Sequence, residues 1–136
     1  MTSSSVNAPL AGRIAVVTGA TRGIGRAIAE RLRADGARVV ATGRTASGEA
    51  PGGCEYRGVD LADDASTQAF ATWLGQLRPD ILVNNAGINK LAPIAEMPLE
   101  TVAALHRVNV LAPMQLCRAV LPAMRERRWG RIVNVA

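Results

Sequence analysis

The chain has 136 residues, of which 49% are hydrophobic, and a formal net charge of +5. This length predicts a single domain, and the apolar content excludes a disordered chain. No apolar run approaches the roughly 20 residues of a membrane-spanning helix. Residues 1–10 lack the charged and apolar regions of a signal peptide, so we predict a flexible polar tail followed by one domain over 11–136.

The basic residues are almost all arginines scattered along the chain, with one dense patch at 125–131. Cations at the end of a helix complement its dipole, so we expect this patch to be solvated. Trp129 is the only aromatic residue in this patch. Because a row of stacking aromatic residues is missing, the patch argues against nucleic-acid binding. Cys54 and Cys117 are the only cysteines, and we predict two free thiols in a reducing cytoplasm and no metal site.

Five short segments predict five strands, of which the first is an apolar run that suits a strand buried on both faces and the third is weak. They lie at residues 13–18, 38–42, 55–59, 80–84 and 130–136. The segment 43–54 between the second and third runs contains four glycines, one proline and no helical period. Its length is close to the minimum of about a dozen residues for a parallel crossover, so we predict a crossover without a helix.

Three helices are predicted between these strands. The first has an apolar stripe and ends before Gly36, and the stripe consists of Ile24, Ala27, Ile28 and Leu32. The second begins at Asp63 or Asp64 and ends at Pro79. The third extends from about residue 98 to about 128, with bends expected at Pro113 and Pro122.

Alternating strands and helices predict an α/β fold in which helices cover both faces of a parallel sheet. We expect a Rossmann-type doubly wound sheet that is truncated after its fifth strand. A ligand then belongs at the carboxyl ends of the strands, where the strand order reverses.

The first strand leads into a glycine-rich turn at Thr18–Gly25. Glycine allows positive φ and a close approach of the backbone to a phosphate, and the next helix directs its free N–H groups there. A plain tight turn would need one glycine. The three glycines, Gly19, Gly23 and Gly25, favour a dinucleotide site.

The spacing Gly-x-x-x-Gly-x-Gly after a threonine resembles the short-chain dehydrogenase/reductase family. The similarity continues with an aspartate after the third strand, Asn-Asn-Ala-Gly at 84–87, an asparagine in the third helix and the fifth strand at 131–136. It covers residues 11–136. The resemblance implies a set of cofactor-binding residues: Gly19, Thr21, Arg22, Gly23, Ile24, Gly25, Arg44, Asp60, Leu61, Asn85, Ala86 and Gly87.

Two of these matches have plainer alternatives. Asp60 alone would be interpreted as a solvated loop acid, and Asn84-Asn85 as an Asx-turn. The resemblance instead gives Asp60 a contact with adenine. It makes Asn109 a member of the catalytic tetrad. In that role the Asn109 side chain holds a helix bend and a water molecule of the proton relay. The helix period places Asn109 on the apolar face, so the alternative is a buried Asn bonded to a neighbouring loop.

The residues after the second strand bear on the choice of cofactor. Family members that use NAD usually place an acid at this strand's end, where this chain has Gly43 followed by Arg44. Arg22 lies in the glycine turn, and two guanidinium groups suit a 2′-phosphate. The alternative is two solvated arginines. We expect NADP(H) rather than NAD(H).

The family's catalytic Ser, Tyr and Lys have no counterpart here. Tyr56 is the only tyrosine, and Lys90 follows it by 34 residues rather than four. His106 has no catalytic partner at motif spacing, so we expect it on a helix surface.

The resemblance implies hydride transfer between NADP(H) and a carbonyl or secondary alcohol, as in 3-oxoacyl-thioester reductases and sugar or polyol dehydrogenases. It also implies a homodimer or homotetramer in the full-length form. We expect these 136 residues alone to be inactive. The alternative is a non-catalytic nucleotide-binding fragment.

Overall fold

The computed structural model describes residues 8–136 and contains five parallel strands in one sheet. The strands are β1 (Ile14–Val17), β2 (Arg38–Gly43), β3 (Glu55–Gly58), β4 (Ile81–Asn84) and β5 (Arg131–Asn134). Their spatial order is β3-β2-β1-β4-β5. The predicted Rossmann-type sheet is confirmed, and its switch point lies between β1 and β4.

Four α-helices flank the sheet. They are α1 (Gly23–Ala34), α2 (Asp64–Leu77), α3 (Leu99–His106) and α4 (Ala112–Arg127). A short 3₁₀ turn, Ile94–Glu96, precedes α3, and a π-helical segment, Arg107–Leu111, joins α3 to α4. No helix formed by residues 8–136 has both the length and the apolar character needed to cross a membrane.

Two apolar clusters, one on each face, hold the helices to the sheet. On one face Val16, Val40 and Leu82 pack with the buried side chains of α2 and α4. On the other face Val17 and Val83 pack with α1. Side chains alternate along each strand, which is why these runs are apolar throughout rather than at every second residue.

The predicted helix ends follow from local chemistry. Asp63 caps α2 by accepting a hydrogen bond from the Ser66 amide at 2.8 Å. The last helical residue is Leu77. The next residue, Arg78, has a left-handed conformation and is followed by Pro79. Gly36 follows the end of α1 with φ +104°, the conformation in which glycine is favoured.

The third predicted helix is wrong in one respect. Instead of one α-helix bent at two prolines, the chain forms a π-helical segment in which the Ala112 amide bonds to the Arg107 carbonyl, five residues back. Pro113 is the second residue of α4, which begins directly after this segment, and Pro122 lies inside α4. A proline has no N–H to donate to the carbonyl four residues earlier, and its ring needs space next to that carbonyl. At Pro113 the wider preceding turn accommodates the proline.

Two predicted buried faces also need correction. Ile24 is 66% exposed and Ala27 is exposed, since Gly25 and Ala29 are the buried residues of α1. Asn109 is exposed rather than buried, because Val108 and Ala112 face the core where the π-helical segment changes the helical register. The stripe expected for α1 therefore holds only at Ile28 and Leu32, which pack against the core.

The crossover between β2 and β3 contains no helix, as predicted. Pro51 is buried within it, and the Arg33 Nε donates to the Gly53 carbonyl at 3.0 Å. At the start of β3, Arg38 hydrogen-bonds Glu55 at 2.6 Å and 2.9 Å and lowers the pKa of that carboxyl. Side-chain contacts, rather than the hydrogen bonds of a helix, thus hold the end of the crossover that leads into β3.

One arginine of the patch at 125–131 is less solvated than predicted, while the other three are exposed as expected. Arg127 pairs with Asp80, which is only 7% exposed and also lies 3.5 Å from an Arg13 nitrogen. The Trp129 ring has the guanidinium carbon of Arg13 at 3.5 Å and that of Arg131 at 4.6 Å. These cation–π contacts stabilise the amino edge of the sheet, opposite the predicted ligand site.

Residues 1–7 of the predicted tail lie outside the described residues. Leu10 donates its amide to the Asp35 carbonyl at 2.9 Å and packs against the α1 face of the core. Cys54 and Cys117 are both free thiols, as predicted. Burial raises the pKa of the Cys54 thiol, which disfavours its reactive thiolate form.

Candidate functional site

The carboxyl ends of β1 and β4 are joined through the side chain of Thr18. Its hydroxyl oxygen accepts hydrogen bonds from the amides of Asn85 and Ala86, both at 3.0 Å, and lies 3.4 Å from the Val83 carbonyl, to which it donates. Thr18 is 1% exposed. One hydroxyl therefore fixes the start of the glycine turn against the loop that follows β4.

Asn85 completes this connection with its amide group. Its Nδ2 donates to the carbonyls of Thr18 and Gly19 at 3.2 and 3.0 Å. A Cβ at Gly25 would collide with the Gly19 carbonyl and with the Asn85 amide. The turn, the first residues of α1 and the β4 loop thus pack with no room for a side chain at position 25.

A second buried threonine fastens the turn to β2. Thr42 accepts the Gly19 amide on its hydroxyl at 3.2 Å and the Ala20 amide on its carbonyl at 2.9 Å. Neither Thr18 nor Thr42 was among the predicted site residues. The available signal was a threonine at the carboxyl end of an otherwise apolar strand, in each of the two strands that adjoin the turn.

The amino end of α1 is open to an anion. Arg22 precedes the helix without a side-chain cap, and the first turn has no acidic residue. By contrast, Asp63 caps α2 and Asp64 lies in its first turn. Gly23 has φ +60° and open space where a Cβ would stand. Free amides, a positive helix end and a backbone without side chains fit the pyrophosphate of a dinucleotide.

Two arginines lie beside this anion site. Arg22 has an extended backbone (φ −157°) at the start of α1, and Arg44 follows the last residue of β2. Both side chains are exposed, and neither pairs with a carboxylate within residues 8–136. The methyl group of Thr21 lies 2.9 Å from the Cβ position of Gly43, which places the glycine turn next to the end of β2.

The residues predicted to contact adenine follow β3 at the same edge of the sheet. Asp60 accepts the Ala62 amide on Oδ1 at 3.0 Å, so its carboxylate forms an Asx-type turn. Leu61 is 6% exposed and belongs to the core. Asp60 is thus half-buried and part of a local turn, which differs from the solvated loop acid that was its alternative.

Asn109 binds the loop after β4 with both ends of its amide. Its Oδ1 accepts the Ile88 amide at 2.9 Å and its Nδ2 donates to the Ile88 carbonyl at 2.8 Å. Its Oδ1 also lies 3.2 Å from the Cβ position of Gly87. Asn109 thus holds the backbone of this loop from the π-helical segment.

A cleft of about 840 Å³ lies between the β4 loop, α4 and the end of β5. From the predicted set it brings together Ile24, residues 85–87 and Asn109. The other predicted residues of the glycine turn, together with Arg44, Asp60 and Leu61, lie outside its lining. Asn84 lies in its wall and donates to Asn134 Oδ1 at 2.9 Å. The predicted site residues at the strand ends therefore fall into two groups. Those at β2 and β3 are the ones predicted to bind adenosine (the adenosine side), and those at β4 and β5 line the cleft.

Replacing Thr18 by valine is expected to lower the free energy of unfolding by about 2 kcal/mol. The change keeps the shape of the side chain but leaves two amides without their acceptor. An unpaired buried group costs about 1–3 kcal/mol, and the lower value applies to each amide here because Asn85 and Ala86 are only half-buried. Thr18→Ser keeps the hydroxyl and serves as the matched control. Denaturant unfolding checks this, and equal stabilities of the two variants would contradict the role of the hydroxyl.

Comparison with known proteins agrees with this geometry. The model of the short chain dehydrogenase family matches residues 13–136. The chain is 36% identical to a D-beta-hydroxybutyrate dehydrogenase of Cupriavidus necator, over 93% of this chain and 54% of that protein. It is 38% identical to the 3-oxoacyl-[acyl-carrier-protein] reductase of Escherichia coli, over 91% and 54%.

Solved structures agree as well. A metagenomic short-chain oxidoreductase in complex with NADP superposes with a TM-score of 0.84 and 40% identity, over 94% of this chain and 62% of that one. A 3-oxoacyl (acyl-carrier-protein) reductase from Agrobacterium tumefaciens with NADP bound gives a TM-score of 0.82 and 29% identity, over 95% and 54%.

The sheet order, the glycine turn and the open end of α1 are those of a Rossmann-type fold. With a family model that matches residues 13–136, the chain belongs to the short-chain dehydrogenase/reductase family of oxidoreductases. It spans about half the length of the curated relatives it matches.

Proposed function

We propose that this chain supplies the cofactor-binding part of an NADP(H)-dependent oxidoreductase that interconverts a carbonyl and a secondary alcohol. The relatives support the substrate class, since their names describe a hydroxybutyrate dehydrogenase, a threitol dehydrogenase and a 3-oxoacyl reductase. Two structural neighbours contain NADP.

The end of β2 carries the cofactor proposal. A carboxylate there would accept hydrogen bonds from the ribose hydroxyls and would repel a 2′-phosphate. This chain has Gly43 at that position, and Arg44 follows it. Arg22 stands at the start of α1, so two cations border the adenosine side. Arginine can grip a phosphate with two hydrogen bonds, and the pair therefore favours NADP(H).

The remaining site residues bind and orient. The amides at the start of α1 would hold the pyrophosphate, and Asp60 and Leu61 would border the adenine. Residues 85–87 would form the floor beneath the nicotinamide, which when bound supplies or accepts a hydride. Asn109 fixes the Ile88 backbone next to this floor, and this is the role we propose for it in the reaction.

The proton transfer that accompanies hydride transfer needs a general acid. Residues 1–136 contain no Tyr-x-x-x-Lys, since Tyr56 and Lys90 are too far apart in sequence and the Tyr56 hydroxyl is bonded to the Thr45 carbonyl instead. We propose that these 136 residues bind the cofactor without supplying the acid.

We also propose that the protein acts in the cytoplasm and forms a homodimer or homotetramer. The surface that supports an oligomer is formed by α3, α4 and the π-helical segment, where large apolar side chains are exposed. These are Leu99, Val102, Val110, Met114 and Leu121. The surface reaches the cleft, since Val110 and Met114 also line it. Exposed apolar patches on helices are typical of protein–protein interfaces.

The cofactor proposal is tested by titrating the complete gene product with NADPH and with NADH while following nicotinamide fluorescence. We expect the Kd for NADPH to be lower by about ten- to a hundredfold, the value of one charge-assisted contact to the 2′-phosphate. Equal affinities, or tighter binding of NADH, would overturn the proposal.

A further inference from the structure

The first residues of the helix-free crossover wrap around the ring of Tyr56, which lies in β3. The Tyr56 hydroxyl donates to the Thr45 carbonyl at 2.6 Å. The Thr45 hydroxyl lies 3.3 Å from the same phenol oxygen and donates to the Ser47 carbonyl at 2.7 Å. Two hydrogen bonds, from Tyr56 to Thr45 and from Thr45 to Ser47, thus fix a segment that has no regular secondary structure.

Three glycines make this close contact possible. A Cβ at Gly43 would lie 2.7 Å from the Tyr56 hydroxyl, and a Cβ at Gly48 would lie 2.7 Å from the ring. A Cβ at Gly58 would collide with the Thr45 carbonyl. The ring therefore occupies the space between the two ends of the segment 43–48, and the segment can follow it only because these positions lack side chains.

Arg44 lies between two fixed points of this arrangement. On one side, Gly43 is paired with Gly58 in the sheet and its carbonyl accepts the Val59 amide at 2.9 Å. On the other side, the Thr45 carbonyl is held by Tyr56. The backbone of Arg44 is thus ordered before any ligand binds, while its side chain stays exposed. Ordering a flexible loop during binding would otherwise reduce the affinity.

We propose that Tyr56 is a positioning residue that sets cofactor selectivity by holding Arg44 in place for the 2′-phosphate. This inference rests on the proposed function, because Tyr56 acts only through Arg44. It assigns a role to the only tyrosine in these 136 residues. It also explains how a crossover without a helix can present a cation at a defined position.

The test is the Kd of the complete gene product for NADP⁺ and for NAD⁺ in the variant Tyr56→Phe. Phenylalanine keeps the ring between the glycines and removes only the hydroxyl. Loss of one hydrogen bond predicts a Kd for NADP⁺ that rises about two- to tenfold, with the Kd for NAD⁺ changing less than about twofold. In the Arg44→Ala background the same change is expected to add nothing, since interacting residues are not additive.

Two further variants complete the experiment. Arg33→Lys loosens the other end of the crossover by removing the Nε donor to Gly53, keeps the charge and is expected to leave both affinities unchanged. Gly48→Ala displaces the segment from the ring without removing the hydroxyl, and is expected to reproduce the selective loss. If Tyr56→Phe does not fold, the Gly48→Ala variant alone tests the role of Tyr56.

The possible results distinguish a failure of the role of Tyr56 from a failure of the proposed NADP(H) preference. A selective loss with Arg44→Ala, together with no selective loss in the Tyr56 or Gly48 variants, overturns the role of Tyr56 alone. An equal rise of both constants in those variants assigns Tyr56 a purely structural role and also overturns it. If Arg44→Ala itself shows no selectivity, the 2′-phosphate proposal and this inference are both wrong.

Discussion

A polypeptide of residues 1–136 is expected to oxidise NADPH in the presence of ketones at least about 10⁴-fold more slowly than a version extended through a Ser and a Tyr-x-x-x-Lys segment appended from a homologous enzyme. A general acid contributes about 10²–10⁴-fold and a preorganised donor to the developing alkoxide about 10²–10³-fold. Residues 1–136 contain neither the Tyr-x-x-x-Lys nor a serine close to β5 in sequence. Binding the cofactor without these groups is expected to give little rate.

The comparison needs soluble protein, because β5 is an edge of the described sheet. Val133 in this strand is 46% exposed, and an exposed apolar edge strand promotes aggregation. Rates are therefore measured on monodisperse fractions of both polypeptides, with a panel of ketones. Comparable activity of the two would refute the assignment of roles and would favour a chemistry that residues 1–136 perform unaided.

The second large effect is expected from Arg22→Ala and Arg44→Ala. Each variant removes a charge-assisted contact to the 2′-phosphate, worth about 1.5–3 kcal/mol. The Kd for NADP⁺ should therefore rise about ten- to a hundredfold in each. The Kd for NAD⁺ should change little, because NAD⁺ has no group at that position. Titration calorimetry with both cofactors measures the two constants.

Arg26→Ala is the matched control for these variants. Arg26 lies in the second turn of the same helix as the glycine site, is about half exposed and pairs with Glu30 at 3.5 Å. Its loss lowers the net charge by the same amount without removing a cation from the adenosine side. If NAD⁺ affinity falls as far as NADP⁺ affinity in the Arg22 or Arg44 variant, the 2′-phosphate argument is wrong.

The sequence was sufficient for the sheet and the glycine turn because both depend on local patterns. Strands buried on both faces must be apolar throughout, and a turn that approaches a phosphate needs glycine at fixed spacing. The helix-free crossover was also predictable, since the segment 43–54 has too many glycines for a helix. Each of these features is encoded within about ten consecutive residues.

The residues that hold the site together were not predictable in the same way. Thr18 and Thr42 act through amides that are brought to them by the fold, and Thr18 meets residues 85 and 86 only because β4 lies beside β1. A threonine in a strand is ordinarily interpreted as a favourable β former. Its hydrogen-bond partners become visible only when the strand order is known.

The prediction for Asn109 failed on burial for a related reason. A regular helical period placed it on the apolar face, but the π-helical segment shifts the register so that Val108 takes that place. A helical period assumes constant geometry along the helix, and one wide turn is enough to move a residue to another face. Its double hydrogen bond to Ile88 remains a contact to a neighbouring loop, as the alternative had it.

The central claim is tested most directly by initial rates of NADPH and NADH oxidation by the complete gene product with the same panel of ketones. The account predicts NADPH oxidation that depends on the carbonyl substrate, with kcat/KM for NADPH at least about tenfold above that for NADH. Equal rates with both cofactors, a preference for NADH, or no oxidation of either with any carbonyl would contradict it.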